Sequence, residues 1–330
     1  MKPEIVYQVP GYYTQDQWFF RKDEYIYFYH LLMPLEAGDQ ERWGKETIGV
    51  SRSKDMRSWE YLGIALAPSQ KKDAWDSKNL ATGSIVKHTG RYWMFYCGGS
   101  LNSQSVPGIG LAVSDDLINW TRYSEEPVLR MDPRWYAASP QTEDEFAAAD
   151  PYVFFHEEDK CFYMLITAVA RYGISGQRGC VALARSNDLI EWKSLPPLLE
   201  CPYSSRPEVP QVWSHQGRWY LMFCMHGGIR TQQFSDKYPE IAQSAAYVLT
   251  ADRFQGPYRF EGKWWVLPNT GCYTAKVITE TEGVPGFDGQ HALMTWQSEY
   301  VDGKGCVSAG AAAPWQVQYL EEGGFDTHRL

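Results

Sequence analysis

Three carboxylates in the 330-residue sequence each stand at the head of a strand-like run. They are Asp16 in Gln15-Asp16-Gln17-Trp18, Asp150 in Ala149-Asp150-Pro151-Tyr152, and Glu208 in Glu208-Val209-Pro210-Gln211. Two carboxyl groups placed across a glycosidic bond, one protonated and one ionised, are the equipment for cleaving it. Like charges converging on one site also push one pKa up, which keeps a general acid protonated near neutral pH. Singly, each residue has a plain structural reading. Asp16 reads as a turn residue before a strand, Asp150-Pro151 as a turn starter, and Glu208 as an exposed acid in a proline-flanked loop. Their equivalent positions in three separate units are what mark them as one site.

Those units come from a repeat. Ser53-x-Asp55-Met56-x-x-Trp59 returns as Ser114-x-Asp116-Leu117-x-x-Trp120 and as Ser186-x-Asp188-Leu189-x-x-Trp192, with a degenerate copy at Thr250-x-Asp252-x-Phe254. The interval, roughly 60–70 residues, is one supersecondary unit. Upstream of the corners lie aromatic runs at 25–29, 92–96, 162–166 and 219–223, with 291–296 as a fifth, each preceded by a polar turn and one more short strand. The pattern predicts an all-β chain: a five-bladed β-propeller of four-stranded antiparallel blades, forming a single domain over 1–330. The blades fall at about 16–66, 82–129, 150–199, 208–260 and 264–320. After the fifth blade, 308–330 is enough for a strand closing the ring or a short tail, not for a further β-sandwich. The Ser-x-Asp-apolar-x-x-Trp corners read as scaffold, because a residue repeated in every blade marks no single site.

Composition narrows the function. Aromatic residues are 15% of the chain, charged residues 22%, and the net charge is −9, which argues against disorder and against a nucleic-acid-coating surface. No apolar run reaches membrane-spanning length, and the N-terminus shows no basic segment followed by an apolar run and cleavage site. The seven cysteines are odd in number and scattered, without the paired spacing of a zinc site. They read as reduced, buried packing residues of a cytoplasmic protein with no metal and no cofactor. The expected partner is a small oligosaccharide or glycoside; the oligomeric state is not legible.

The order Asp16-x-Trp18, Ala149-Asp150-Pro151-Tyr152-Val153 and Glu208-Val209-Pro210-Gln211-Val212 resembles the three-carboxylate signature of five-bladed propeller glycosidases. The likeness is to glycoside hydrolase family 32, the invertase and levanase type, and its levansucrase relatives. Trp75-Asp76 running into Thr82-Gly83-Ser84 resembles that family's blade-two substrate motif. The resemblance implies that Asp16 is the nucleophile, that Glu208 is the acid/base and that Asp150 holds sugar hydroxyls and stabilises the transition state, with a β-D-fructofuranosyl linkage as the leading substrate. Three departures accompany it. Asp16 lacks the Asp-Pro-Asn-Gly run of invertases, Ala149 replaces the arginine expected before Asp150, and the C-terminal β-sandwich usual in the family is missing.

Around the acids, Trp18 and Trp75 are candidates for stacking on the sugar or for packing between blades. Arg171 is a candidate charged donor or an exposed loop arginine. Asp76, Ser84, Gln211 and His226 are substrate-binding candidates by position. Two other enzyme readings use the same propeller: an inverting arabinofuranosidase of family 43 type, and a phosphorylase needing a basic phosphate site, for which Lys276, Arg171, Arg206 and Arg230 form no cluster in sequence. A sugar-binding propeller without catalysis is the alternative from a different class.

Overall fold

Each aromatic run forms the second strand of an antiparallel sheet and is buried on both faces. The computed structural model describes residues 3–37, 44–102, 106–137, 148–225, 227–241, 244–260, 264–301 and 305–329. After a short strand β1 (Ile5–Tyr7), blade one comprises β2 (Tyr12–Lys22), β3 (Tyr25–Pro34), β4 (Thr47–Ser53) and β5 (Glu60–Leu66). Blade two is β6 (Asn79–His88), β7 (Arg91–Gly99), β8 (Ile109–Ser114) and β9 (Thr121–Arg122). Blade three is β10 (Ala149–His156), β11 (Cys161–Val169), β12 (Gly179–Ser186) and β13 (Lys193–Glu200). Blade four is β14 (Glu208–His215), β15 (Arg218–Met225), β16 (Ala245–Ala251) and β17 (Trp265–Val266). All four are four-stranded meanders, paired in chain order.

The inner strands β2, β6, β10 and β14 neighbour one another in that order around a ring. The ring is completed by a fifth sheet of β18 (Cys272–Ile278), β19 (Ala292–Val301), β20 (Gly305–Ala312), β21 (Trp315–Tyr319) and β22 (Phe325–Arg329), with β18 lying against both β14 and β2. The fold is the five-bladed propeller that the repeat predicts. Two details of the fifth blade differ from the sequence reading. Trp265–Val266, expected to open blade five, pairs with Ala246 and Tyr247 as the outer strand of blade four, because Trp264 is buried beside Tyr203, Phe234 and Tyr247. The fifth sheet also takes a strand from the other end of the chain: β1 pairs with β20 through Ile5↔Ala312 and Tyr7↔Ala311.

The corners are scaffold in atomic detail. In each, the serine hydroxyl accepts two backbone N–H bonds while the aspartate accepts two more, for example Ile118 N and Asn119 N on Asp116 Oδ1 at 2.8 Å. The apolar residue takes a left-handed φ without glycine: 58° at Met56, 72° at Leu117 and 69° at Leu189. Each corner tryptophan then packs against the blade before its own in the ring. Trp120 meets Tyr29 of blade one, Trp192 meets Phe95 of blade two, and Trp59 joins the cluster of Ile278 and Phe287 from the fifth sheet. Six of the cysteines, 97, 161, 180, 201, 224 and 272, are free and buried in these walls, as expected of packing residues.

Candidate active site

All five inner strands break register at the same level. The irregularities fall between Gln15 and Gln17, Leu80 and Gly83, Ala149 and Tyr152, Glu208 and Gln211, and Tyr273 and Lys276. Four of these bulges carry a non-glycine residue at left-handed φ: Asp16 at 46°, Asp150 at 54°, Val209 at 49° and Thr274 at 42°. In blade two the strands crowd instead: a Cβ at Gly83 would stand 2.2 Å from the Phe95 carbonyl oxygen. Bulges of this kind re-aim a side chain and store strain that the surroundings must hold. Here they turn Asp16, Asp150 and Glu208 into one channel mouth.

Hydrogen bonds between blades fix the acids. Thr82 Oγ1 of blade two donates to Asp16 Oδ2 at 3.0 Å. Asp150 Oδ2 accepts from Thr167 Oγ1 at 2.8 Å and from the Val209 N–H of blade four at 3.0 Å. Glu208 receives the Tyr273 hydroxyl of blade five on Oε2 and faces Arg206 Nε, 3.5 Å from Oε1. Blades two, four and five thus each supply a donor to an acid of a neighbouring blade, while Thr167 braces Asp150 from within its own. Burial and mutual repulsion raise the proton affinity of Asp16 and Glu208. Burial, then the charge of Asp150, pushes Asp16 up to about 7, while Thr82 and Lys276 pull it down. Burial pushes Glu208 up further, to about 8; Arg206 opposes the rise and the two aspartates add to it. Burial and the neighbouring acids thus keep Glu208 protonated toward neutral pH, which suits it to give a proton to a leaving oxygen at a glycosidic carbon.

Below the mouth, two residues along each inner strand, lies a second layer made of Trp18, Ser84, Tyr152, Gln211 and Lys276. Three of the proposed sugar contacts belong to it. Trp18 is 2% exposed and stacked on Tyr29 at 5.8 Å. Ser84 Oγ accepts the Val153 N–H at 2.9 Å, and the Gln211 amide exchanges two bonds with the backbone of Val277. These groups seal the blades to one another. Trp75 is likewise interior, stacked on Tyr96 at 5.7 Å, and Asp76 is 1% exposed and bonded to the Tyr96 hydroxyl and to Arg122 Nε at 2.8 Å. Arg171 lies on an exposed loop, where Nη1 donates to the Pro133 carbonyl and the guanidinium covers the Tyr172 ring. His226 falls outside the described residues.

Four further groups stand at the acids. Arg206 and Tyr273 hold Glu208, Lys276 is the buried cation of the lower layer, and Glu46, 5% exposed, is a fourth carboxylate whose charge raises Asp16. Arg206 has one available signal in the sequence, its place two residues before Glu208. Glu46 has none, since it precedes β4, the third strand of its blade, and not an inner strand. Among the described residues no group of His, Cys, Asp and Glu side chains is arranged to hold a metal ion. A cleft of about 720 Å3 also opens between β16 and the β21–β22 hairpin; its lining, which includes Arg218, Arg253 and Arg259, contains none of the three acids.

Comparison with known proteins agrees with this geometry. A family profile described as "Glycosyl hydrolases family 32 N-terminal domain" matches residues 15–302. The chain is 27% identical over 285 residues to the sucrose-6-phosphate hydrolase of Bacillus subtilis (strain 168), an alignment covering 82% of this chain and 52% of that protein. It therefore spans about half the length of that relative. Among solved structures, a GH32 β-fructofuranosidase of Bombyx mori superposes with a TM-score of 0.71 at 19% identity, over 100% of this chain and 65% of that one. A thermostable family-43 glycoside hydrolase superposes with a TM-score of 0.69 at 15% identity, over 100% of this chain and 96% of that one. At those identities the two structures share the fold.

Proposed function

The chain belongs to glycosyl hydrolase family 32, and on that premise we propose that it cleaves a furanosyl linkage, β-D-fructofuranosyl first of all, in a small oligosaccharide. In this reading Asp16 attacks the anomeric carbon while Glu208 gives its proton to the leaving oxygen. Glu208 then takes a proton from the incoming water, which releases the sugar from Asp16 with net retention. Asp150, held by Thr167 and the Val209 N–H, binds sugar hydroxyls beside the charge that develops on the ring. The observation that carries the reading is the convergence of Asp16, Asp150 and Glu208 from three inner strands of the ring, where Asp150 accepts the Val209 N–H beside Glu208 and the acids raise one another's proton affinity. The buried free thiols support a reducing, cytoplasmic setting for the reaction.

The test is to assay wild type, Asp16→Asn and Glu208→Gln on a panel of fructosides and arabinofuranosides, with proton NMR of the first anomer released. Activity in wild type alone, with retained configuration on a fructoside, is the expected result. Inversion, or preference for arabinofuranosides, replaces the reading by a family-43-like one. Equal rates in all three proteins remove the catalytic assignment, and sugar binding without turnover in any of them leaves a sugar-binding propeller.

A further inference from the structure

Four of the five residues in the layer beneath the acids are neutral; the fifth, Lys276, is 4% exposed. Rooted in β18, its ammonium crosses to blade four, where it donates to the Val209 carbonyl at 3.1 Å and the Pro210 carbonyl at 3.4 Å, and lies 5.7 Å from the Tyr152 ring centroid of blade three. Contacts from blade five to blades four and three carry the charge toward the middle of the ring. Among the described residues it forms no direct ion pair. A buried ammonium without a contacting anion costs several kcal/mol, so a purely structural position is better filled by a neutral side chain. What Lys276 faces explains its charge: Asp16 from β2, Asp150 from β10 and the Cys224 thiol from β15, each acting on it through space, with Glu208 heading the strand whose carbonyls it binds.

We propose that Lys276 is a positioning residue whose ammonium is the fixed counter-charge of the Asp16–Asp150 pair, keeping Asp16 in its ionised, attacking form. The proposal rests on the assignment of Asp16 as nucleophile. Burial lowers Lys276 itself to about 8, with the two aspartates resisting, so it is charged at neutral pH, where it is needed. The same ammonium clamps the Val209 bulge, whose N–H holds Asp150, so one side chain also ties Asp150 to the strand that carries Glu208.

Lys276→Gln keeps a donor for the two carbonyls and removes the charge. Two measurements read it: the acid limb of the kcat/KM profile, and the carboxyl titration of Asp16 by carbon-13 NMR. Both are expected to move up by about one pH unit, a roughly tenfold loss of kcat/KM on the acid side. Linkage gives a reciprocal arm in case the variant does not fold: Asp16→Asn must lower the midpoint of the Lys276 ε-carbon resonance. An Asp16 midpoint unmoved in folded Lys276→Gln, or a Lys276 midpoint unmoved in Asp16→Asn, overturns the proposal. The NMR arms need no turnover, so a wild type without glycosidase activity would remove the functional reading while the coupling is still measured.

Discussion

Replacing Arg206 by glutamine tests the acid/base assignment through its electrostatics. Arg206 Nε lies 3.5 Å from Glu208 Oε1, and both side chains are 12% exposed. Opposite charges at that distance attract by about 1.2 kcal/mol at a dielectric near 80 and by about 4.7 kcal/mol at an effective dielectric near 20. At about 1.36 kcal/mol per pKa unit, loss of the guanidinium raises Glu208 by about 1 to 3.5 units. The sign is fixed: the cation stabilises the carboxylate, so its removal favours the proton. Wild type should show kcat/KM falling below pH 7 as Asp16 is protonated and above pH 8 as Glu208 ionises, since this ratio reports the free enzyme. In Arg206→Gln the alkaline limb should move up by about one unit or more, whereas Arg206→Lys should hold it near its original place. An alkaline limb that stays within about 0.3 unit, or moves down, would refute the claim that this ion pair sets the proton affinity of the acid.

Other predictions concern stability. The native pKa values of Asp16 and Glu208 are raised, so the folded state binds more protons than the unfolded one and loses stability as pH rises from about 4 to 8. Asp16→Asn and Glu208→Gln should therefore gain more Tm at pH 9 than at pH 4, and equal gains in thermal melts would contradict the linkage. Asp116→Ala removes an acceptor of hydrogen bonds from Ser114, Ile118 and Asn119 and should cost about 2 kcal/mol or more in urea denaturation, with the folded protein keeping its activity. Trp75→Ala should cost about 3–5 kcal/mol and leave KM unchanged; a raised KM at full stability would place Trp75 against substrate.

The sequence shows the blades because their corners are chemically fussy: only a Ser and an Asp two residues apart satisfy that many backbone N–H groups, and they recur. The three acids are legible because they interrupt this repeat at equivalent heads. Depth along the channel is not. Period-two alternation says that Trp18, Ser84 and Gln211 share a face with the bulge layer, but not that they lie beneath it as inter-blade seals. The bulges that set the layers are made by aspartate, valine and threonine in left-handed conformations, where no glycine advertises them. Asp76 is hidden for a related reason: its partners, Tyr96 and Arg122, come from β7 and β9, and their approach is a tertiary event. The three residues of β1 carry no alternation long enough to read, and their partner is at the far end of the sequence.

That last pairing has a temporal side. β1 cannot find β20 until roughly 300 further residues have been made, which takes about 15–60 s at ribosomal speeds of about 5–20 residues per second. Throughout that interval Asp16 is present, but the bonds from Trp296 Nε1 to the Thr14 carbonyl and from Gln17 Nε2 to the Thr274 carbonyl, which anchor its strand to blade five, cannot form. A chain stopped after Glu208 but short of β18 therefore carries all three acids on an open arc. The acids gain their full set of neighbours only when the two ends of the propeller meet, so closure of the ring, and not the making of any one blade, completes their surroundings.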